Sequence, residues 1–521
     1  MLRSFPALAL ALLVVLPVAA APPENSETTV TLLHFADYHS HAQAFYSEGG
    51  DDQGGIARAI GYLKREKQRG ALIFSGGDMM NAGSPAWSDK YRCAEWSWLN
   101  GIVDAMAYGN HDGDYGTAAF VACRRGVSYP ILSANVFDAG GHAVFATHTP
   151  AARARGNVRY AVFRQNGVRI GVFAVAGPDF DVLVKKENRP AAGAIFGPAV
   201  KAAREMVHAL RDVEKVDAVV LIGHEQRDDD AALARAVPGI DVILGTHSHL
   251  KEELSQIPGT RTWIISPFQY LTYISRVTLR FRGRELIDVS GGLVRVNGSV
   301  TPDAAIARKV AAMEQVLESD PGYRALFETI GTAATPLAVE GQLSRDAPLP
   351  DLALDVMRGA TGAHFALSTA SSFRQSIASG PITMEALRAA LPYDNEILVF
   401  EMTGARVAQI LDHSVTRAGS DFFAQVSGVR FSIDVFHEVS YLSIVKDPRD
   451  PAAGFENIDK AKLYRVATTD YLARVAPGYR ELFAGLTPEM TGLHLREELR
   501  KYLAAQSPVS AKRDGRIADE K

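Results

Sequence analysis

Apolar and polar positions follow two rhythms along this chain. From about residue 28 to 300, short unbroken apolar runs alternate with stretches of helical spacing. The runs are Val30-Thr31-Leu32-Leu33, Ala71-Leu72-Ile73-Phe74, Ile170-Gly171-Val172-Phe173-Ala174-Val175, Ala218-Val219-Val220-Leu221-Ile222 and Val242-Ile243-Leu244. Residues 199–210 have helical periodicity. Unbroken β-type runs predict strands covered on both faces. Their alternation with helices predicts a layered α/β domain over 28–300. From 260 to 298 the pattern turns β-rich, as in Trp263-Ile264-Ile265 and Val277-Thr278-Leu279-Arg280-Phe281. The polar, alanine-rich stretch 302–317 predicts a helix, with Thr301 as N-cap and Pro302 at its first position. It lies in a linker, 301–325. A second, smaller α/β segment follows over 326–505. The tail, 506–521, is polar and predicted to be disordered.

The first twenty residues have a different character. Arg3 is followed by an apolar run from Pro6 to Leu16, then by the small residues Val18-Ala19-Ala20. This is the pattern of a secretory signal peptide over 1–20. The run ends at Pro22-Pro23-Glu24, too short for the roughly 20 apolar residues of a membrane span. No later segment reaches that length, so the mature chain is expected to be periplasmic or secreted, with no membrane anchor. The only cysteines are Cys93 and Cys123. An oxidising compartment favours a disulfide between them, with two buried thiols as the alternative.

Charge narrows the function. The net charge of -4 comes from 55 Lys and Arg against 59 Asp and Glu, with no basic block. Nucleic acid is not an expected partner. Any anionic substrate must be held by local charge, from metals or placed arginines. Oligomeric state is unreadable.

The chemistry follows the predicted strands. Asp37-Tyr38-His39-Ser40-His41, Gly76-Gly77-Asp78, Gly109-Asn110-His111-Asp112-Gly113-Asp114, Gly223-His224-Glu225 and Gly245-Thr246-His247-Ser248-His249 succeed one another along the first domain. Ligands of open α/β sheets bind beyond the carboxyl ends of strands. Each motif alone reads more readily as a turn or a hydrogen-bonded loop. Five in one domain point to a metal centre. Carboxylate, imidazole and amide oxygen donors suit Zn, Mn or Fe as divalent ions. Two such ions, roughly 3.5–4 Å apart, would activate water and clamp a phosphoryl group.

This set resembles the calcineurin-like metallophosphoesterases. With the second domain it is similar to the 5′-nucleotidase family, over residues 30 to about 500. The resemblance implies a four-layered α/β/β/α domain followed by a smaller α/β substrate domain that closes over the metals. It implies two divalent metal ions, the first on Asp37, His39 and His249, the second on Asn110, His224 and His247, with Asp78 bridging. His111 matches the catalytic histidine and Asp114 the carboxylate that orients it. His41 is a candidate on the phosphate side, or a hydrogen-bonded loop residue. The implied reaction is hydrolysis of a small-molecule phosphate ester, a nucleotide, by a metal-activated water.

In the second domain, Tyr393 and Tyr471 match the two aromatics that clamp the base, and Asn395 a base hydrogen-bonding residue. Arg374 matches a phosphate arginine, and Arg345 is a second candidate. Three departures from the family stand out. Thr369-Ala370-Ser371-Ser372 replaces an Asn-Gly-Gly-Gly run, Pro477 replaces an Asp that accepts from ribose hydroxyls, and Asp394 replaces a Gly. The hydrolytic set is intact while the nucleoside grip is altered. A thiosulfohydrolase-like or non-nucleotide phosphoester activity on the same scaffold is the alternative.

Overall fold

The computed structural model describes residues 26–146, 159–450 and 453–520. The predicted signal peptide lies outside them. No helix among the described residues is long and apolar enough to cross a membrane.

Two six-stranded sheets form the first domain. One runs, edge to edge, through Glu285–Arg295, Tyr273–Arg282, Glu27–Phe35, Leu72–Ser75, Ala105–Ala107 and Ile131–Leu132. The other runs through Lys251–Gln256, Trp263–Pro267, Val242–Gly245, Ala218–His224, Val168–Ala176 and Ala161–Gln165. The four strands from Glu27–Phe35 to Ile131–Leu132 are mutually parallel, as are the middle four of the second sheet.

Side chains alternate across each strand, so one run feeds two cores. Val30 and Leu32 face Val220, Ile222 and Val172 between the sheets. Leu33 and Phe35 face outward, beneath the helix Ile56–Gln68. Val219 and Leu221 do the same beneath the helix Ala199–His208. The result is the four-layered α/β/β/α arrangement. Cys93 and Cys123 form a disulfide enclosing a 30-residue separation. A loop of that size limits the unfolded chain by roughly 3 to 4 kcal/mol.

The helix Ala304–Ser319 begins slightly later than the sequence predicts. Asp303 caps it, accepting from the amides of Ala305 and Ile306. Thr301 is not the cap: it lies two residues earlier, where its carbonyl and the following residues pack closely on Gly61 of the helix Ile56–Gln68. Val310 and Leu317 are buried against the first domain, so this helix is part of its wall.

A five-stranded sheet organises the second domain, in the order Ala424–Ser427, Phe365–Thr369, Leu463–Thr469, Glu396–Thr403 and Glu489–His494. Apolar cores cover both its faces. A four-stranded sheet lies beside it and corrects one expectation. The polar tail is ordered: Ile517–Asp519 pairs in parallel with Val429–Ile433. Its backbone bonds and the buried Arg516, ion-paired to Asp355 and Asp514, offset the shortage of apolar residues.

Candidate metal centre

The loops after the parallel strands converge at one end of the two sheets. Their backbones are tight. Asp37, His39, Asp78, His247 and His249 all have positive φ, between 47° and 62°. Non-glycine residues in that region cost on the order of 1–3 kcal/mol each and persist only where the surroundings enforce them. The enforcement is visible. The Asp37 amide donates to the Gly77 carbonyl at 3.1 Å and the His39 amide to the Asp78 carbonyl at 2.9 Å. Asp112, fully buried, accepts from the amides of Met79 at 2.8 Å and Gly109 at 2.9 Å. Gly109 is required, since a Cβ there would stand 2.2 Å from Asp78 Oδ1.

Two clusters of ligand atoms share an edge. Asp37, His39 and His249 form one, and Asp78, His224 and His247 the other, each with its ligand atoms within 4.8 Å of one another. Asp78 Oδ2 stands between them, 3.7 Å from His39 Nε2 and 3.4 Å from His224 Nε2. Asn110 Oδ1 is 3.2 Å from His224 Nε2. His39 and His249 turn their Nε2 atoms toward each other at 3.1 Å. All seven predicted residues are buried and gathered in one place.

Electrostatics favour a cation here. Burial opposes charge on Asp78, yet His224, His111 and His39 hold its pKa well below the usual carboxylate range. Burial also disfavours protonated His224, but Asp78 outweighs it and holds that pKa up at about 9. The Asp78 carboxylate thus stays charged and favours positive charge on His224, whereas burial keeps His39 and His249 below the ordinary imidazole value and so available as neutral donors. The donor set, with no thiolate, suits divalent ions.

His111 lies at the cluster's edge. Its Nδ1 is 2.8 Å from Asp114 Oδ2, and its amide donates to Asp78 Oδ1 at 2.8 Å. Burial disfavours its charge, but Asp114, Asp78 and Tyr393 raise its pKa well above the ordinary value.

Sequence reasoning missed Asp179. It follows the strand Val168–Ala176, and its Oδ2 lies 2.9 Å from His247 Nε2. A carboxylate on one ring nitrogen fixes the tautomer and leaves Nδ1 free to bind a metal. Its signal was the same as for the other motifs: a glycine and an acid just past a buried strand.

The second domain covers the site. The Arg374 guanidinium contacts both His249 Nδ1 and the Tyr393 hydroxyl, the latter at 3.3 Å. Gln269 Nε2 donates to the Arg374 carbonyl at 3.1 Å. His41 is not among the clustered ligands. It stacks on Tyr270 with ring centroids 3.6 Å apart, and its Nε2 lies 3.2 Å from Gln375 Oε1 across the domain boundary. Burial lowers its pKa to about 4, so it is neutral there. Tyr471 is near enough to Tyr393, Arg374 and Asp421 to sense their charges. Asn395 lies beside Tyr393, its carbonyl accepting from the Leu495 amide at 3.1 Å. Arg345 is not brought to the site. The turn 341–345 aims it into solvent, and it does not line the cavity between the domains. That cavity holds about 830 Å³ and is bordered by His249, Tyr270, Arg374 and Asp421.

A four-layered fold that gathers these donors beneath a second domain defines a metal-dependent phosphoester hydrolase. Residues 30–251 match the calcineurin-like phosphoesterases and residues 329–484 the 5′-nucleotidase C-terminal domain. The chain belongs to the family that joins these two domains, the 5′-nucleotidase family. It is 26% identical to protein UshA of Yersinia enterocolitica, over 95% of this chain and 94% of that one. It is also 26% identical to a 5′-nucleotidase of Vibrio cholerae, with the same coverage, 95% and 94%. The crystal structure of a 5′-nucleotidase precursor from Thermus thermophilus shares the fold, with a TM-score of 0.74 and 24% identity over 94% of this chain and 99% of that one.

Proposed function

We propose that the chain is an exported, dinuclear-metal phosphohydrolase that cleaves phosphate esters of nucleotides. The position of Asp78 between the two ligand clusters carries this reading. Asp37, His39 and His249 would hold one ion, and Asn110, His224 and His247 the other, with Asp78 common to both. Zn, Mn and Fe all suit these donors. The disulfide and the signal-type residues 1–20 support export.

Bound ions would supply the charge that polarises the phosphoryl oxygens and acidifies the attacking water. The chain's own groups do the rest. Asp114 keeps the His111 imidazole oriented and protonated, with Nε2 free to donate to the transferring phosphoryl group or the leaving oxygen. The Arg374 contact makes His249 Nδ1 an acceptor, which leaves the hydrogen on Nε2. His249 would serve as a ligand of the first ion, and the Arg374 guanidinium beside it would pair with substrate phosphate in bidentate fashion.

Tyr393 and Tyr471 would sandwich the base. Of the three departures in the nucleoside grip, one is visible as a change in packing. Ser368 and Ser372 hydroxyls meet at 2.8 Å, as do those of Thr369 and Ser371. A buried hydroxyl cluster fills the run where relatives have glycines. Tyr471→Ala is therefore the informative variant. Its kcat/KM for AMP should fall by about tenfold or more, from the ~1–3 kcal/mol of one base–aromatic stack, with aryl phosphate turnover retained. Equal kinetics on AMP in variant and parent would remove Tyr471 from the base site. Activity confined to the aryl phosphate in both would favour a non-nucleotide ester.

A further inference from the structure

Apart from the catalytic cluster, the second domain carries a second group of carboxylates. Asp346, Asp351 and Asp514 bring side-chain oxygens within 4.8 Å of one another. They come from three places: the loop before the helix Pro348–Thr361, the first turn of that helix, and the carboxyl-terminal segment. Asp346 is satisfied, accepting from Arg513 Nε at 2.9 Å and the Gly515 amide at 2.8 Å. Asp514 accepts from Arg516 at 2.9 and 3.0 Å. Asp351 differs. It is 2% exposed and neither of its oxygens makes a hydrogen bond. The nearest cation, Arg516 Nε, stands 3.4 Å from Oδ1, with its fork turned to Asp355 at 2.9 and 3.1 Å.

Charge leads the same way. Four carboxylates, Asp346, Asp351, Asp355 and Asp514, contact two guanidinium groups, Arg513 and Arg516. Arg358 and Arg430 lie near but are engaged elsewhere, Arg358 with Ser427 and the Pro448 carbonyl and Arg430 over the Phe455 ring. A buried carboxylate with unmet oxygens costs several kcal/mol unless it is neutralised. Burial, with Asp346, Asp514 and Asp355, pushes Asp351 up to about 8 against the pull of Arg516.

We propose that Asp346, Asp351 and Asp514 hold a divalent cation of the calcium type. Oxygen-only donors in a partly open group suit that hard ion, with water completing its shell through the exposed side of Asp514. The cation would fasten the terminal segment just before the strand Ile517–Asp519, which stands at the edge of the four-stranded sheet.

The test titrates calcium chloride into the full chain, calorimetrically, with the catalytic cluster saturated by manganese. Wild type should bind calcium, and carboxypeptidase should digest residues 508–520 more slowly with calcium present. Asp514→Asn, at a partly exposed position, should weaken calcium binding by at least about tenfold and abolish the protection, with aryl phosphate turnover unchanged. Asp351→Asn should do the same, and if it fails to fold, Asp514→Asn decides alone. Equal uptake by wild type and Asp514→Asn would put the ion elsewhere and overturn the proposal. So would an absence of calcium-dependent protection in wild type, which would mean that Asp351 is simply protonated.

Discussion

Asp78→Asn is expected to lower hydrolysis of every phosphate ester by on the order of 10³-fold or more, matching or exceeding the loss of one preorganised electrostatic contact. The expectation follows from position. Asp78 Oδ2 faces His39 on one side and His224 on the other, and its Oδ1 accepts from the His111 amide. An amide keeps the shape and removes the charge that both clusters share. Metal content measured on the same sample should fall with activity. A variant that keeps its ions and its turnover would show that Asp78 does not join the two clusters. Thermal stability is a useful companion reading. Ligand loading at 1,000 times Kd adds about 4 kcal/mol of stability, so wild type should gain more from added metal than the variant.

His111→Ala is expected to reduce kcat by roughly 10²- to 10⁴-fold, the range for loss of a general acid, with metal content retained. Asp114→Asn should act through the same imidazole. Burial alone would lower the His111 pKa, and Asp114 is the first of the charges that raise it. Removing that charge lowers the pKa, so the protonated form is lost at a lower pH. The alkaline limb of the rate profile should then shift toward acid. An unchanged limb would mean that His111 does not act in its protonated form.

Much of this was legible because the parallel strands are unbroken apolar runs. Once Val30-Thr31-Leu32-Leu33 and its counterparts are read as strands, the acids and histidines just beyond them must meet at one end of the sheets. Only residues in recognisable motifs are legible in this way. Asp179 was missed because Gly177-Pro178-Asp179 matches none of the five motifs, although it occupies the same kind of strand end as Gly76-Gly77-Asp78. Asp112 was passed over within its own motif, yet it holds three loop amides. His41 has the spacing of a ligand, but its stacking on Tyr270 depends on a residue far along the chain. Arg345 was a second phosphate candidate, and the turn that aims it outward is not encoded in any motif. The tail misled composition because its order rests on ion pairs and strand pairing rather than on apolar burial.

The most direct measurement is phosphate release by the purified mature chain with added Mn²⁺ or Zn²⁺, from AMP, UDP-glucose, 2′,3′-cyclic AMP and an aryl phosphate. Metal-dependent release from a nucleotide, faster than from the aryl phosphate, is the expected result. Release from none of them with the metal site loaded would contradict it, and would direct the search to a sulfur-transferring hydrolysis on the same scaffold.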